Sequence, residues 1–175
     1  MRKVYYWILG LILASLSFLF DKAVSNFFFN SRVSDMSIFM KFSEYTNGFF
    51  SLIFIGIFVL IWKRKLILRY LLGFGFTAII VYGLKELLQR LRPVEALLGS
   101  GFSFPSGHAS FAFFALGFIW GDFKKFKWFW LIFAMLIVLV RLYVGAHHIS
   151  DVSFGVLIGL FLGNLFRKKK IKSLL

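Results

Sequence analysis

Six apolar runs, at positions 4–20, 49–62, 66–84, 109–120, 128–140 and 152–166, leave this chain little choice of solvent. In water such runs would alternate with polar faces instead of continuing unbroken. The composition points the same way: 60% of the 175 residues are hydrophobic, 21% are aromatic and twenty-six are phenylalanine. The mean hydropathy of +0.85 exceeds that of an ordinary soluble domain. A membrane crossing needs about 17 to 25 mostly apolar residues. Several runs fall short of that and borrow flanking residues such as Gly48, Gly107 and Tyr143. The expected fold is therefore all-α: a polytopic membrane bundle of about six transmembrane helices, with five as the alternative. The run at 4–20 also has the character of a secretory signal, but no small-residue cleavage site precedes Asp21, so a retained helix is expected.

Drawing six crossings sorts the charges. One side holds Arg2, Lys3, Lys63, Arg64, Lys65, Arg69, Lys124, Lys125, Lys127, Arg167, Lys168, Lys169, Lys170 and Lys172 against Asp122 alone. By the positive-inside rule this side, with both termini, is cytoplasmic. A formal net charge of +14 thus reads as topology anchoring beside anionic headgroups, and nucleic acid is not an expected partner. The opposite side receives all three histidines, Lys22, Arg32, Lys41, Lys85, Arg90, Arg92 and Arg141, and the acids Asp21, Asp35, Glu44, Glu86, Glu95 and Asp151. The chain has no cysteine, which excludes disulfides and thiolate chemistry. No linker, repeat or low-complexity tract divides it, so residues 1–175 are expected to form one membrane-embedded domain. The mixed aromatic and charged stretch at 21–47 reads as a segment lying on the membrane surface or as an ordinary loop.

Ionisable groups at membrane depth are costly, and their default reading is functional. They fall in three clusters. In KELLQRLRP, at 85–93, a continuing helix would put Lys85 and Arg92 on one face, about 10 Å apart along its axis and able to converge on one dianion. Snorkelling to the headgroups is the plainer alternative. Arg90 sits four residues from Glu86, the spacing of a surface ion pair. In FPSGH, at 104–108, Pro105 and Ser106 suit a helix start and Gly107 admits close backbone approach, so the helix end offers an anion site. His108 beside such an anion is placed to act as a general acid. An interfacial histidine at an ordinary helix start is the competing reading. In RLYVGAHHISD, at 141–151, His147 and Asp151 are four apart, so the carboxylate can orient the ring while the other nitrogen attacks. Ser150 is a candidate cap for the last helix, Arg141 adds a planar fork suited to phosphate oxygens, and His148 points elsewhere. A plain polar helix start is the alternative here. Three histidines and a carboxylate also raise a metal site, but the chain has no HExxH pair and the neighbouring cations disfavour one.

In order and spacing, KxxxxxxRP, PSGH and RxxxxxHxxxD resemble the three signature motifs of the type 2 phosphatidic acid phosphatase family over about the last half of the chain. One position departs: Val140 precedes Arg141 where the family pattern usually has serine, which removes one phosphate hydrogen bond. The resemblance implies a six-helix lipid phosphatase working without metal or cofactor. His147 would attack phosphorus to give a phosphohistidine, Asp151 would orient it and His108 would protonate the leaving group. Lys85, Arg92, Ser106, Gly107 and Arg141 would hold the phosphate. Compact bacterial members of this kind act on undecaprenyl pyrophosphate, phosphatidylglycerol phosphate or the 1-phosphate of lipid A, in an inner membrane with the site facing outward. The absence of a large encoded external lid favours lipid A. A phosphotransferase and a non-catalytic lipid-phosphate carrier are the rival functions.

Overall fold

The structure is a computed structural model and describes residues 2–93, 97 and 101–167. Among the described residues the chain is helical and free of strands: α1 (Arg2–Leu16), α2 (Asp21–Asn30), α3 (Ser37–Tyr45), α4 (Gly48–Lys63), α5 (Ile67–Leu88), α6 (Gly107–Ile119), α7 (Phe126–Tyr143) and α8 (Ile149–Arg167). By length and apolarity alone, 4–30, α7 and α8 are each able to cross a membrane, and α6 is a shorter apolar helix. At 1.5 Å per residue α5 spans about 33 Å, so it too is long enough. With α4 packed against α5 and α6, the bundle is built from the six helices α1, α4, α5, α6, α7 and α8. Large apolar side chains such as Leu72, Ile79 and Ile132 point outward, where acyl chains would meet them.

At the centre stands α6, buried on every side from Ala109 to Ile119, as a helix apolar all round requires. It packs on α4, α5, α7 and α8. Its partnership with α8 rests on missing side chains. A Cβ on Gly155 would lie 2.7 Å from the Ser106 carbonyl oxygen, one on Gly159 2.4 Å from that of Ser110, and one on Gly163 2.2 Å from that of Phe114. Three glycines at four-residue spacing thus let the α8 backbone lie directly on α6. Two large polar side chains inside it are paired with main chain: Trp130 Nε1 donates to the Ala112 carbonyl at 2.9 Å, and Tyr70 Oη to that of Ser51 at 2.7 Å.

Three readings of the sequence need correction. The first helical run does not stop at residue 20: a 3-10 turn at Ser17–Phe20 leads directly into α2. The 21–47 stretch is not an ordinary loop: it forms α2 and α3, and α3 packs on α7. Finally, α5 does not continue to Arg92. It ends at Leu88, and Gln89 in the left-handed region (φ 45°) turns the chain away. The cationic run Lys168–Lys172 and Glu95 lie outside the described residues.

Candidate active site

The turn after α5, the start of α6 and the α7–α8 turn meet at one end of the bundle. They enclose a cavity of about 620 Å³ lined by Lys85, Arg92, Gly107, His108, Arg141 and His147. It continues between α4 and α5 along Phe49, Phe74, Ala78 and Tyr82, an apolar extension beneath a cationic head. The two imidazoles predicted from separate motifs therefore share one chamber with three long cations. Among the described residues, no three of His, Cys, Asp or Glu gather in a way that would hold a metal ion.

Two of the three cations, Lys85 and Arg92, are held by main chain. Lys85 Nζ donates to the carbonyls of Phe102 (2.7 Å) and Ser103 (3.2 Å). Arg92 reaches the carbonyls of Ala146 (2.5 Å) and Gly101 (3.2 Å). The reason Lys85 and Arg92 converge is thus the turn after α5 and the 101–103 backbone, not a shared helix face. Arg141, buried at the end of α7, hydrogen-bonds Ser43 Oγ on α3. The carbonyl of that same Ser43 accepts from His108 Nε2 at 3.0 Å, which puts the proton on Nε2. Ser43 is 1% exposed, so α3 backs His108 and Arg141 on one side. Sequence reasoning missed it, because a carbonyl contact leaves no residue signature.

At the α6 start, Ser106 is the extended N-cap and Gly107 opens the helix. Ser106 does not line the cavity: it is fully buried, its N–H donates to the Asp151 carbonyl at 2.9 Å and its Oγ has no hydrogen-bond partner. Gly107 does line it, and a Cβ there would meet protein atoms only at 3.7 Å. First-turn N–H groups beside an open glycine make an anion seat.

His147 lies in the turn between α7 and α8 and is 3% exposed. Burial pushes its imidazole well below the ordinary histidine range, and Arg141, Arg92 and Lys85 push it further, against a Ser103 backbone hydrogen bond. The ring is thereby kept neutral, as a nucleophile must be. Asp151 stands behind it, fully buried, with Oδ2 3.7 Å from His147 Nδ1 and accepting from the His148 N–H at 2.8 Å. The Oδ1 atom is taken by Arg90 at 2.7 Å. Arg90 is therefore not the partner of Glu86: its second nitrogen reaches Asp21 at 2.6 Å. Asp21 also accepts from the N–H (2.9 Å) and Oγ (2.7 Å) of Ser150, so Ser150 does not cap α8 but is itself held by Asp21. Val140 packs with Met36, Val144 and Ala146 in a small apolar cluster.

A membrane helix bundle with a cationic chamber at one end, two imidazoles lining it and an apolar exit is the architecture of a lipid phosphatase. The chain belongs to the PAP2 superfamily, whose family model matches residues 66–172. Among solved structures it is similar to Aquifex aeolicus LpxE, with 25% identity and a TM-score of 0.72 over 83% of this chain and 93% of that one. It is also similar to the first transmembrane PAP2 type phosphatidylglycerolphosphate phosphatase from Bacillus subtilis. There the identity is 27% and the TM-score 0.74, over 98% of this chain and 100% of the other. No curated protein sequence matches.

Proposed function

We propose that this protein is an integral-membrane phosphatase that releases phosphate from a lipid phosphate through a phosphohistidine on His147. The observation that carries the reading is the single cavity shared by His108, His147, Lys85, Arg92 and Arg141. The three long cations match a phosphate dianion and the charge that spreads over its oxygens in the transition state. Neutral His147 attacks phosphorus, its bond forming as the bond to the lipid oxygen breaks. His108 gives that oxygen a proton. Asp151 faces the positive charge that the ring of His147 gains. Water then attacks the phosphohistidine, with His108 taking a proton back, and inorganic phosphate leaves. No step calls for a metal, and the cationic lining supports that.

The substrate reading shifts once α3 is in view. The preference for lipid A rested on an open outer face, whereas Ser43 on α3 touches both His108 and Arg141. With α3 against His108 and Arg141, the apolar extension between α4 and α5 suits a glycerophospholipid monophosphate entering sideways better than a bulky multichain lipid. The similarity to the phosphatidylglycerolphosphate phosphatase, running through both chains nearly end to end, supports the same choice. The excess of basic residues on the opposite side supports a site on the outer face of a bacterial inner membrane, with both termini in the cytoplasm.

The test is phosphate release by the purified protein in detergent with EDTA present. The lipids are phosphatidylglycerol phosphate, phosphatidic acid, undecaprenyl pyrophosphate and lipid A. Release fastest from a two-chain monophosphate is expected. Preference for lipid A restores the open-face reading. Phosphate passed to an added alcohol in place of water marks a phosphotransferase, and binding without release from any of them marks a carrier.

A further inference from the structure

Between the two cavity cations Lys85 and Arg92, Arg90 does not line the cavity. It turns the other way and joins two buried carboxylates from distant parts of the chain. Its Nη1 donates to Asp151 Oδ1 (2.7 Å) and Ser150 Oγ (2.6 Å), and its Nη2 to Asp21 Oδ2 (2.6 Å). Asp21 is 8% exposed, and Ser150 and Asp151 are fully buried. The guanidinium carbon lies 4.9 Å from the centre of the Phe18 ring, which covers one face of the fork. The Arg90 carbonyl also accepts from Ser103 N–H at 2.7 Å, tying the same turn to the segment that leads into α6.

We propose that Arg90, held by Asp21, is a positioning residue for the reaction: it fixes Oδ1 of Asp151 so that Oδ2 stays turned toward His147. The inference rests on His147 being the nucleophile, as read above.

Two features set this apart from a fold-stabilising ion pair. The first is geometry. A planar fork donating to two carboxylates in different directions fixes the rotation of each, which the point charge of lysine does not. The second is charge. One arginine between two aspartates leaves the trio with a net charge of −1, so Asp151 keeps an uncompensated charge for the imidazole. Without Asp21, Arg90 would neutralise Asp151 outright and weaken its hold on the cationic, phosphorylated ring. Asp21 therefore preserves the charge that Arg90 alone would cancel.

The experiment uses the full chain in detergent and a short-chain phosphatidic acid as the probe. It measures kcat, KM and the single-turnover rate of phosphoenzyme formation for Arg90→Gln, Arg90→Lys, Asp21→Asn, Asp151→Asn and the double variant Arg90→Gln/Asp151→Asn. Arg90→Gln is expected to lower kcat and phosphoenzyme formation about a hundredfold with KM within about threefold, the mark of an interaction made in the transition state. Arg90→Lys should recover only a minor part, and Asp21→Asn should lose about tenfold in kcat alone. The double variant should be no slower than Asp151→Asn, because residues acting as one unit are not additive. Unchanged kcat in Arg90→Gln, a loss confined to KM, or losses that multiply in the double variant would overturn the proposal. If Arg90→Gln does not fold, Asp21→Asn decides, since its amide oxygen still accepts from Ser150; wild-type kcat there overturns the proposal. A His147→Gln control separates the two levels. If that variant still releases phosphate, the phosphohistidine reading fails. If it is dead while the Arg90 and Asp21 variants run at the normal rate, only the positioning role fails.

Discussion

Nδ1 of His147 and Oδ2 of Asp151 stand 3.7 Å apart, and Nδ1 has no hydrogen-bond partner. The gap is just beyond hydrogen-bond reach, and catalytic contacts of this kind tighten when substrate binds. In the proposed mechanism the positive charge that the ring of His147 gains draws Nδ1 and the Asp151 carboxylate together.

The pH dependence follows from the free ring. Burial and the three cations hold His147 below its ordinary value of 6.5. The imidazole is therefore already neutral at pH 6.5, and the acid limb of kcat/KM, which reports the free enzyme, should lie below that pH. Stability carries the same sign. The unfolded chain binds the proton first, so the contribution of neutral His147 is present above pH 6.5 and is lost as the pH falls through the lower, folded value. A kcat/KM profile with its acid limb above pH 7 contradicts this.

Gly107→Ala separates ligand contact from fold. Because a Cβ there meets protein only at 3.7 Å, the variant should keep its thermal midpoint. The methyl group would intrude on the anion seat instead, and kcat/KM should drop by about tenfold to a hundredfold, or roughly 1.4 to 2.7 kcal/mol of transition-state binding. Steady-state kinetics beside a melting curve checks both halves, and unchanged kinetics would remove Gly107 from the phosphate site.

Gly159→Ala should do the opposite. Its Cβ would stand 2.4 Å from the Ser110 carbonyl oxygen and 2.7 Å from Phe114 N. Backbone cannot yield as a side chain does, so α8 must move off α6 at a cost of about 3 kcal/mol. A clear fall in thermal midpoint in detergent is expected, with activity falling as Asp151 shifts. An unchanged midpoint would contradict the close α6–α8 contact.

Ser43→Ala removes the hydroxyl that meets Arg141 but keeps the carbonyl that holds His108. The expected result is a KM raised by about threefold to tenfold with kcat nearly kept, because Arg141 loses orientation while the acid does not. A collapse of kcat with unchanged KM would show that the hydroxyl serves chemistry rather than Arg141.

What the sequence revealed, and what it hid, divides along physical lines. Apolar run length and the sidedness of charge are local properties, and they led to the bundle. PSGH and the His147–Asp151 spacing are also local, and Gly107, His108 and His147 line one cavity, whereas Ser106 of the same motif does not. Arg90 was misread because its local neighbour Glu86 offered an obvious partner. Its real partners, Asp21 and Asp151, lie 69 and 61 residues away and meet it only because the chain turns at Gln89. Lys85 and Arg92 converge for a different reason than helical spacing suggested, since main-chain carbonyls at 101–103 and 146 gather them. The role of α3 was hidden because Ser43 acts partly through its backbone, which any residue supplies.

The most direct measurement is chemical trapping of the intermediate. Protein mixed with radiolabelled lipid phosphate and quenched in alkali within one turnover should retain label that is stable to base, lost in acid and mapped to His147. The label should be absent in His147→Gln and should accumulate when His108 is replaced only for substrates whose leaving group needs no proton. Rapid phosphate release with no protein-bound label at any quench time, or label that persists in His147→Gln, contradicts the account.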